Sequence, residues 1–223
     1  MWHLAARMTE LPERGARETL SKRIWGFDWS EELPWDLDGI RAEPASFAEG
    51  LSFVEAHYAA IFGPLTDGSR FLSDAMTPAK RRFGDEMDVI AFRDGPETVG
   101  VWMGHPSDWS SYYVRSVAFL EAYRDRRIMT GFLERCYAPL RRIGVERLET
   151  ECSPANLPVM KILTRDGWVV TSTTNSERWG AVVRLSKFLR QEAETVFFRQ
   201  FCGVRNGRAP REAGVPPNPG TTP

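Results

Sequence analysis

The apolar positions of this chain change period along its length. Over 46–62, SFAEGLSFVEAHYAAIF, residues Phe47, Leu51, Val54, Tyr58 and Ile61 or Phe62 recur at helical spacing, and Gly63-Pro64 stops the helix they predict. Thr77-Pro78 opens a second, short helix over 77–84, with Thr as cap and Pro in the first turn. Apolar and polar residues then alternate in MDVIAFRD (87–94) and ETVGVWMG (97–104) on either side of Gly95-Pro96, which predicts a hairpin. A loop, HPSDWSS (105–111), leads into SYYVRSVAFL (111–120), a strand rich in aromatic and β-branched residues. The pattern turns helical again, with Ile128, Phe132, Leu133, Cys136 and Leu140 on one face, Pro139 weakening the last turn and Gly144 ending it. RLETEC (147–152) predicts a strand, and 156–167 a helix capped by Asn156 with Pro158 in its first turn. Residues 167–174 and 181–189 predict two antiparallel strands, and 189–203 a terminal helix. Nearer the start, ETLSKRIWGF (18–27) predicts a strand, and 31–44, with its prolines and acids, a loop.

The resulting order is β–α–α–β–β–β–α–β–α–β–β, which is an α/β chain with a central mixed β-sheet and helices on both faces. The expected organisation is a flexible start (1–15), one domain over 16–189, a C-terminal helix over 190–202 and a disordered tail over 203–223. Trp25, Phe27, Trp29 and Trp35 cluster near the start, as core or as the cover of a pocket or sheet edge.

Composition narrows the function classes. With 29 basic and 30 acidic residues the net charge is −1, so nothing global draws the chain to nucleic acid or an anionic membrane. Three widely spaced cysteines suggest neither a disulfide framework nor a zinc site, and the N-terminal MWHLAARMTELPERG has no long apolar run; a cytoplasmic location is the expectation. No Walker loop, dinucleotide fingerprint or metal-ligand cluster is present, and no metal is expected.

The strand–helix–strand–helix run over 114–168 resembles the core of the GNAT superfamily of N-acyltransferases. Tyr123-Arg124 after VAFLEA, and a helix opened by Asn156 and closed by Gly167-Trp168, carry the resemblance. It implies a GNAT-like sheet in which the strand at 111–120 is a parallel neighbour of that at 147–152 and diverges from it. It also implies a phosphopantetheine thioester, acyl-CoA or acyl carrier protein, as donor co-substrate and an amine as acceptor. The exposed backbone at Val117 and Phe119 would hold the pantetheine arm, and Asn156 would support the arm or a bound water.

The family's phosphate turn, Arg or Gln, two residues, Gly, one residue, Gly or Ala, falls here on Arg124, Arg127 and Met129, so both small residues are missing; Thr130 and Gly131 follow one step late. Such a turn sets free N–H groups and a positive helix end against phosphate, and glycines let the backbone come close. Large side chains at 127 and 129 are expected to crowd a pyrophosphate. Arg127 can reach a phosphate with its guanidinium instead, and Arg124, Arg126 and Arg127 together suit an acidic carrier-protein helix; coenzyme A and carrier protein stand level.

Leu163 stands where many family members place a Tyr acid, so the usual proton donor is absent and Leu163→Tyr is expected to be tolerated. Tyr113 takes the place of the Glu base found in some members, and Tyr113 and Arg115 share a strand face. Glu149 and Glu151 share one face of the later strand, Glu151 being nearer Asn156. Glu151, Tyr113 and His105 are the catalytic candidates, with His57 behind them. For each, a surface or satisfied-core role competes with the functional one. Cys152 is expected to be buried filler.

A small-metabolite amine acceptor in specialised biosynthesis is the first expectation, with a homodimer open. A catalytically inactive ligand- or partner-binding module is the second. A tRNA-dependent aminoacyl transferase is the third, since Arg184, Lys187, Arg190, Arg199, Arg205, Arg208 and Arg211 make the C-terminal region basic, although a solvated face is the favoured reading of that region.

Overall fold

The computed structural model describes residues 18–62, 77–176 and 180–201. Eight strands form one sheet in the order β1-β2-β3-β4-β5-β6-β8-β7. They are β1 (Trp35–Leu37), β2 (Ile40–Pro44), β3 (Asp88–Asp94), β4 (Glu97–Pro106), β5 (Ser111–Phe119), β6 (Arg147–Cys152), β7 (Val169–Ser176) and β8 (Gly180–Phe188). The helices are α1 (Leu20–Trp25), α2 (Trp29–Glu32), α3 (Phe47–Ala56), α4 (Tyr58–Phe62), α5 (Pro78–Asp85), α6 (Ile128–Arg142), α7 (Leu157–Arg165) and α8 (Gln191–Phe201). Only β5 and β6 pair in parallel; every other neighbour is antiparallel. The mixed sheet, the hairpin over 88–106 and the elements from 111 to 201 match the periodicity of the chain.

The start of the chain departs from that reading. Residues 18–27 hold α1, not a strand: the Thr19 side chain accepts from Lys22 N, and Gly26, at φ 64°, closes the helix in the left-handed region. Residues 31–44 hold the end of α2 and the β1–β2 hairpin, not a loop. Asp38-Gly39 makes its two-residue turn, with φ of 58° and 81°, the conformation for which Asp-Gly is favoured. The helix over 46–62 divides at His57, which ends α3 at φ −113°. Gly63-Pro64, the N-terminal stretch and the C-terminal tail lie outside the described residues.

The two faces of the sheet are packed unequally. Under α1, α2, α6 and α7 lies the main core, where Phe92, Trp102, Tyr112, Phe132, Leu133, Leu140, Leu148 and Leu185 have no exposure. Phe132 is its hub, with ring centroids 5.0 Å from Trp102, 5.2 Å from Phe92 and 6.2 Å from Trp29. Trp29 and Trp35 therefore belong to this core. The other face carries a smaller cluster, Phe53, Val54, Tyr58, Val89, Val101, Met103 and Ala118, beneath α3 and α4.

The feature that positions the site is the parting of β5 from β6. They pair only from Ser111↔Arg147 to Val114↔Thr150. Beyond that point β5 runs on to Phe119 paired with β4 alone, and β6 runs on to Cys152 paired with β8 alone. Thr150 Oγ1 donates to the Val114 carbonyl at 2.9 Å, closing the ladder at the apex of the opening. At the same level Gly104 pairs with Val114 and Met103 with Ser116, so Arg115 is the extra residue of a bulge.

Candidate functional site

At the wide end of the parting, β5 gives way to a 3-10 turn (Glu121–Tyr123) and then to α6. The turn adopts the backbone that glycines would favour, without glycines: Asp125 is at φ 60° and Arg127, the residue before α6, at φ 61°. No side chain caps α6, so its first N–H groups face outward at the positive end of a helix of 15 residues. They border a groove of about 310 Å³ lined by Leu37, Asp38, Arg126, Arg127, Thr130 and Arg135 among others. The β1–β2 turn forms its far wall, a contribution carried by the Asp38-Gly39 dipeptide but hidden behind the loop reading of 31–44.

The arginines divide their tasks. Arg124, although exposed, is engaged with backbone, Nε donating to the Phe119 carbonyl at 3.1 Å and Nη2 to the Ala60 carbonyl at 3.2 Å, so it ties β5 to α4. Arg126 lies over the Tyr123 ring at 5.0 Å. Arg127 is exposed at the groove. Met129 packs, partly buried, against the main core and is not among the residues lining the groove.

Val117 and Phe119 lie on the stretch of β5 that has parted from β6, with their side chains packed toward the main core, Phe119 at 4.8 Å from the Phe92 ring. Asn156 caps α7, its Oδ1 accepting from Val159 N at 3.5 Å. Leu163 is 3% exposed within the main core. The expected tolerance of Leu163→Tyr is therefore corrected, because a larger polar side chain there overpacks the core.

The opposite face of the sheet, beside the apex, brings together His105, Tyr113, Glu149 and Glu151. His105 on β4 pairs with Tyr113 on β5, and their rings lie 5.6 Å apart. Tyr113 pairs in turn with Glu149 on β6. Glu151 accepts from Arg184 of β8 at 2.7 and 3.0 Å, and Glu149 from Arg147 at 3.0 Å. Burial, and then the Glu151 charge, push the Tyr113 phenol above its ordinary pKa, so it is neutral at pH 7. The hydrogen bond to Glu151, foremost, holds Arg184 charged. A carbonyl only accepts, so the 2.8 Å contact between His105 Nδ1 and the Pro106 oxygen places a proton on Nδ1, and in the neutral ring the lone pair is then on Nε2.

Phe83 of α5 completes this face, edge-on to His105 at 5.6 Å. Phe83 does not stand out in the sequence, and Arg184 does so only as part of a basic C-terminal region; they join the site through α5 docking and the β6–β8 pairing. His57 packs on Phe53 at 4.9 Å at the end of α3. Cys152, half-buried with Sγ 3.5 Å from Met160 Sδ, is pushed up by burial, which suits filler rather than a nucleophile. Among the described residues no cluster of His, Cys, Asp and Glu fit to hold a metal appears, and no helix is long and apolar enough to cross a membrane. Two of the basic C-terminal residues are spent internally: Arg184 on Glu151, and Lys187 on the Asp166 carbonyl. Arg205, Arg208 and Arg211 lie outside the described residues.

Residues 53–168 match the family model described as the acetyltransferase (GNAT) family. Among solved structures, a ribosomal-protein-S5-alanine acetyltransferase from Vibrio fischeri is similar at TM-score 0.54 and 14% identity, over 71% of this chain and 98% of that one. Ard1 from Thermoplasma volcanium gives 0.53 and 12%, over 69% and 99%. The yncA acetyltransferase of Salmonella typhimurium, solved with its cofactor acetyl-CoA, gives 0.51 and 13%, over 69% and 96%. At such identities the likeness is one of fold. No curated protein matches the chain.

Proposed function

The chain belongs to the acetyltransferase (GNAT) family, and from that premise we propose that it transfers an acyl group from acyl-CoA to the amine of a small metabolite. The observation that carries the reading is the parting of β5 from β6 beside the uncapped start of α6. The edge of β5 that has parted from β6, at Val117 and at the Phe119 N–H, binds the pantetheine arm and polarises the thioester carbonyl, while the Phe119 carbonyl is held by Arg124. The first N–H groups of α6 and the Arg127 guanidinium hold phosphate, with Arg126 and Arg135 offsetting the Asp38 and Glu134 carboxylates of the same lining. Thr130 stays within reach of the groove, and Asn156 orders the start of α7 at the narrow side.

His105 is the base in this reading. Its Nε2 takes the proton from the attacking amine as the C–N bond forms. The C–S bond then breaks, the thiolate leaves with the electron pair, and a solvent proton makes it a thiol. Tyr113, neutral, lines the path, and Glu151, tied to Arg184, positions it rather than accepting the proton. Such base help is worth about two to four decades of rate. The absence of a Tyr acid at 163 is compatible with the chemistry, because a thiol leaves readily.

Coenzyme A is favoured over a carrier protein because Met129 is turned into the core and Arg124 is spent on backbone carbonyls, which leaves fewer arginines for an acidic helix. The test is thiol release from acetyl-CoA across a panel of amines, with mass spectrometry of the amide. We expect turnover that falls about 10²–10⁴-fold in His105→Ala while the acetyl-CoA dissociation constant holds. Acetyl-CoA binding without turnover of any amine speaks for a binding module, and a much faster reaction of the same acyl group on a carrier protein moves the donor assignment.

A further inference from the structure

We infer that the acceptor is an aromatic α-amino acid, an inference that rests on the acyltransferase reading above and names the substrate class of the same site. Three observations carry it. The first is a ledge of rings. Phe83, 47% exposed, meets His105 edge-on, and His105 meets Tyr113 at the same 5.6 Å spacing, so three rings run from α5 to the apex of the parting. The exposure of Phe83 is set by the docking of its helix. Gly84, next to it, is buried against the Phe47 ring, where a Cβ would collide, so α5 lies flat on α3 and Phe83 is directed to β4. A half-exposed Phe beside two half-buried rings offers a planar apolar surface that a substrate ring can cover.

The second is charge. Glu149 and Glu151 are the carboxylates at Tyr113; they bond Arg147 and Arg184, and Arg147 is shared with Asp108 at 3.5 Å. With Arg115 counted, three guanidiniums meet these three carboxylates, so no surplus negative charge holds the amine as ammonium, which agrees with the need for a free lone pair in the attack. The third is Arg115. It is the extra residue of the β5 bulge, exposed, close enough to Tyr113 to act on its titration, and in no ion pair among the described residues. Among the described residues it is the guanidinium near Tyr113 that is left for a substrate anion. A molecule with a ring for the ledge, an amine for His105 Nε2 and a carboxylate for Arg115 is an aromatic α-amino acid.

The experiment uses the full chain with acetyl-CoA and four probes: L-phenylalanine, L-alanine without the ring, 2-phenylethylamine without the carboxylate, and butylamine with neither. We expect L-phenylalanine to have the highest kcat/KM. Phe83→Ala lowers its advantage over L-alanine by about 3–10-fold, the worth of one ring contact. Arg115→Ala lowers its advantage over 2-phenylethylamine by about 10–100-fold, the worth of a charged hydrogen bond. Calorimetric binding of L-phenylalanine in the presence of coenzyme A gives the same ranking without turnover. Equal rates for all four amines, or discrimination untouched by either variant, overturns the inference. Acetyl-CoA binding with none of the four accepted also overturns it while leaving the donor site standing. If acetyl-CoA does not bind at all, it is the acyltransferase reading that fails.

Discussion

Under α6 and α7 the sheet presents Phe92, Trp102, Tyr112, Leu148 and Leu185, all without exposure, to a continuous aromatic core. Under α3 and α4 the apolar cluster stops at Met103 and Ala118; beyond it β4 continues with His105, β5 with Ser116 and Tyr113, and neighbouring β6 adds Glu149 and Glu151. Strand alternation places the two sets on opposite sides of the same backbone. The consequence is a division of labour. The first face stabilises the fold; the second is free to carry polar groups, because little of the packing depends on them.

The sharpest way to break that division is at the hub of the packed face. Phe132→Ala is expected to cost about 3–5 kcal/mol in denaturant unfolding, since it removes ring contacts to Trp29, Trp35, Phe92 and Trp102 and leaves a cavity. The packed face also contains a buried carboxylate. Asp88 is 3% exposed, and the Ser21 hydroxyl donates to its carboxylate. Trp29 Nε1, Trp102 Nε1 and the Tyr112 hydroxyl are buried around it without completing a hydrogen bond of good geometry. Burial pushes its pKa up from 3.8 to about 6. Between those two pH values the native state holds a proton that the unfolded chain has released, so Asp88 erodes stability as pH rises from about 4 to 6, and the loss then levels off. The full loss is about 3 kcal/mol at 1.36 kcal/mol per unit. Asp88→Asn is expected to gain relative to the parent across that window and to be level with it at pH 3.5, by thermal melts at stepped pH. A parallel pair of curves contradicts the assignment.

Leu163→Tyr comes next, with an expected loss of about 1–3 kcal/mol from overpacking, read as a lower denaturation midpoint. On the polar face, Glu151→Gln is expected to change stability by no more than about 1 kcal/mol, because its bond to Arg184 is part-exposed, while amine turnover falls. The smallest effect is at the donor turn. Arg127→Gly relieves a left-handed non-glycine and is expected to stabilise by up to about 1 kcal/mol. If the guanidinium holds phosphate, the same variant weakens acetyl-CoA binding, so stability and affinity move in opposite directions.

The legible parts of this chain were those where side-chain period and backbone agree. The long β5 and β6 strands, the α6 stripe and the Asn156 cap all follow from residue spacing. The short elements did not: α1 is six residues fixed by Thr19 and Gly26, and β1 is three residues, too brief for a period to show. Asp38-Gly39 carried the hairpin signal, but prolines and acids around it argued for a loop. At the site, His105, Tyr113 and Glu151 are brought to one face by strand alternation and pairing, which the order of elements implies. Arg124 and Met129 were read by identity alone. Their directions, toward backbone carbonyls and into the core, depend on a turn whose left-handed residues are Asp125 and Arg127, not glycines.

The central claim is that a phosphopantetheine donor enters the parting of β5 from β6 and meets the start of α6. Amide hydrogen exchange with and without saturating acetyl-CoA tests it most directly. Added protection is predicted within 115–131, above all at Ile128, Met129 and Thr130, whose N–H groups lie at the uncapped end of α6. Acetyl-CoA binding that leaves exchange across 115–131 unchanged, or protects another surface, contradicts the account.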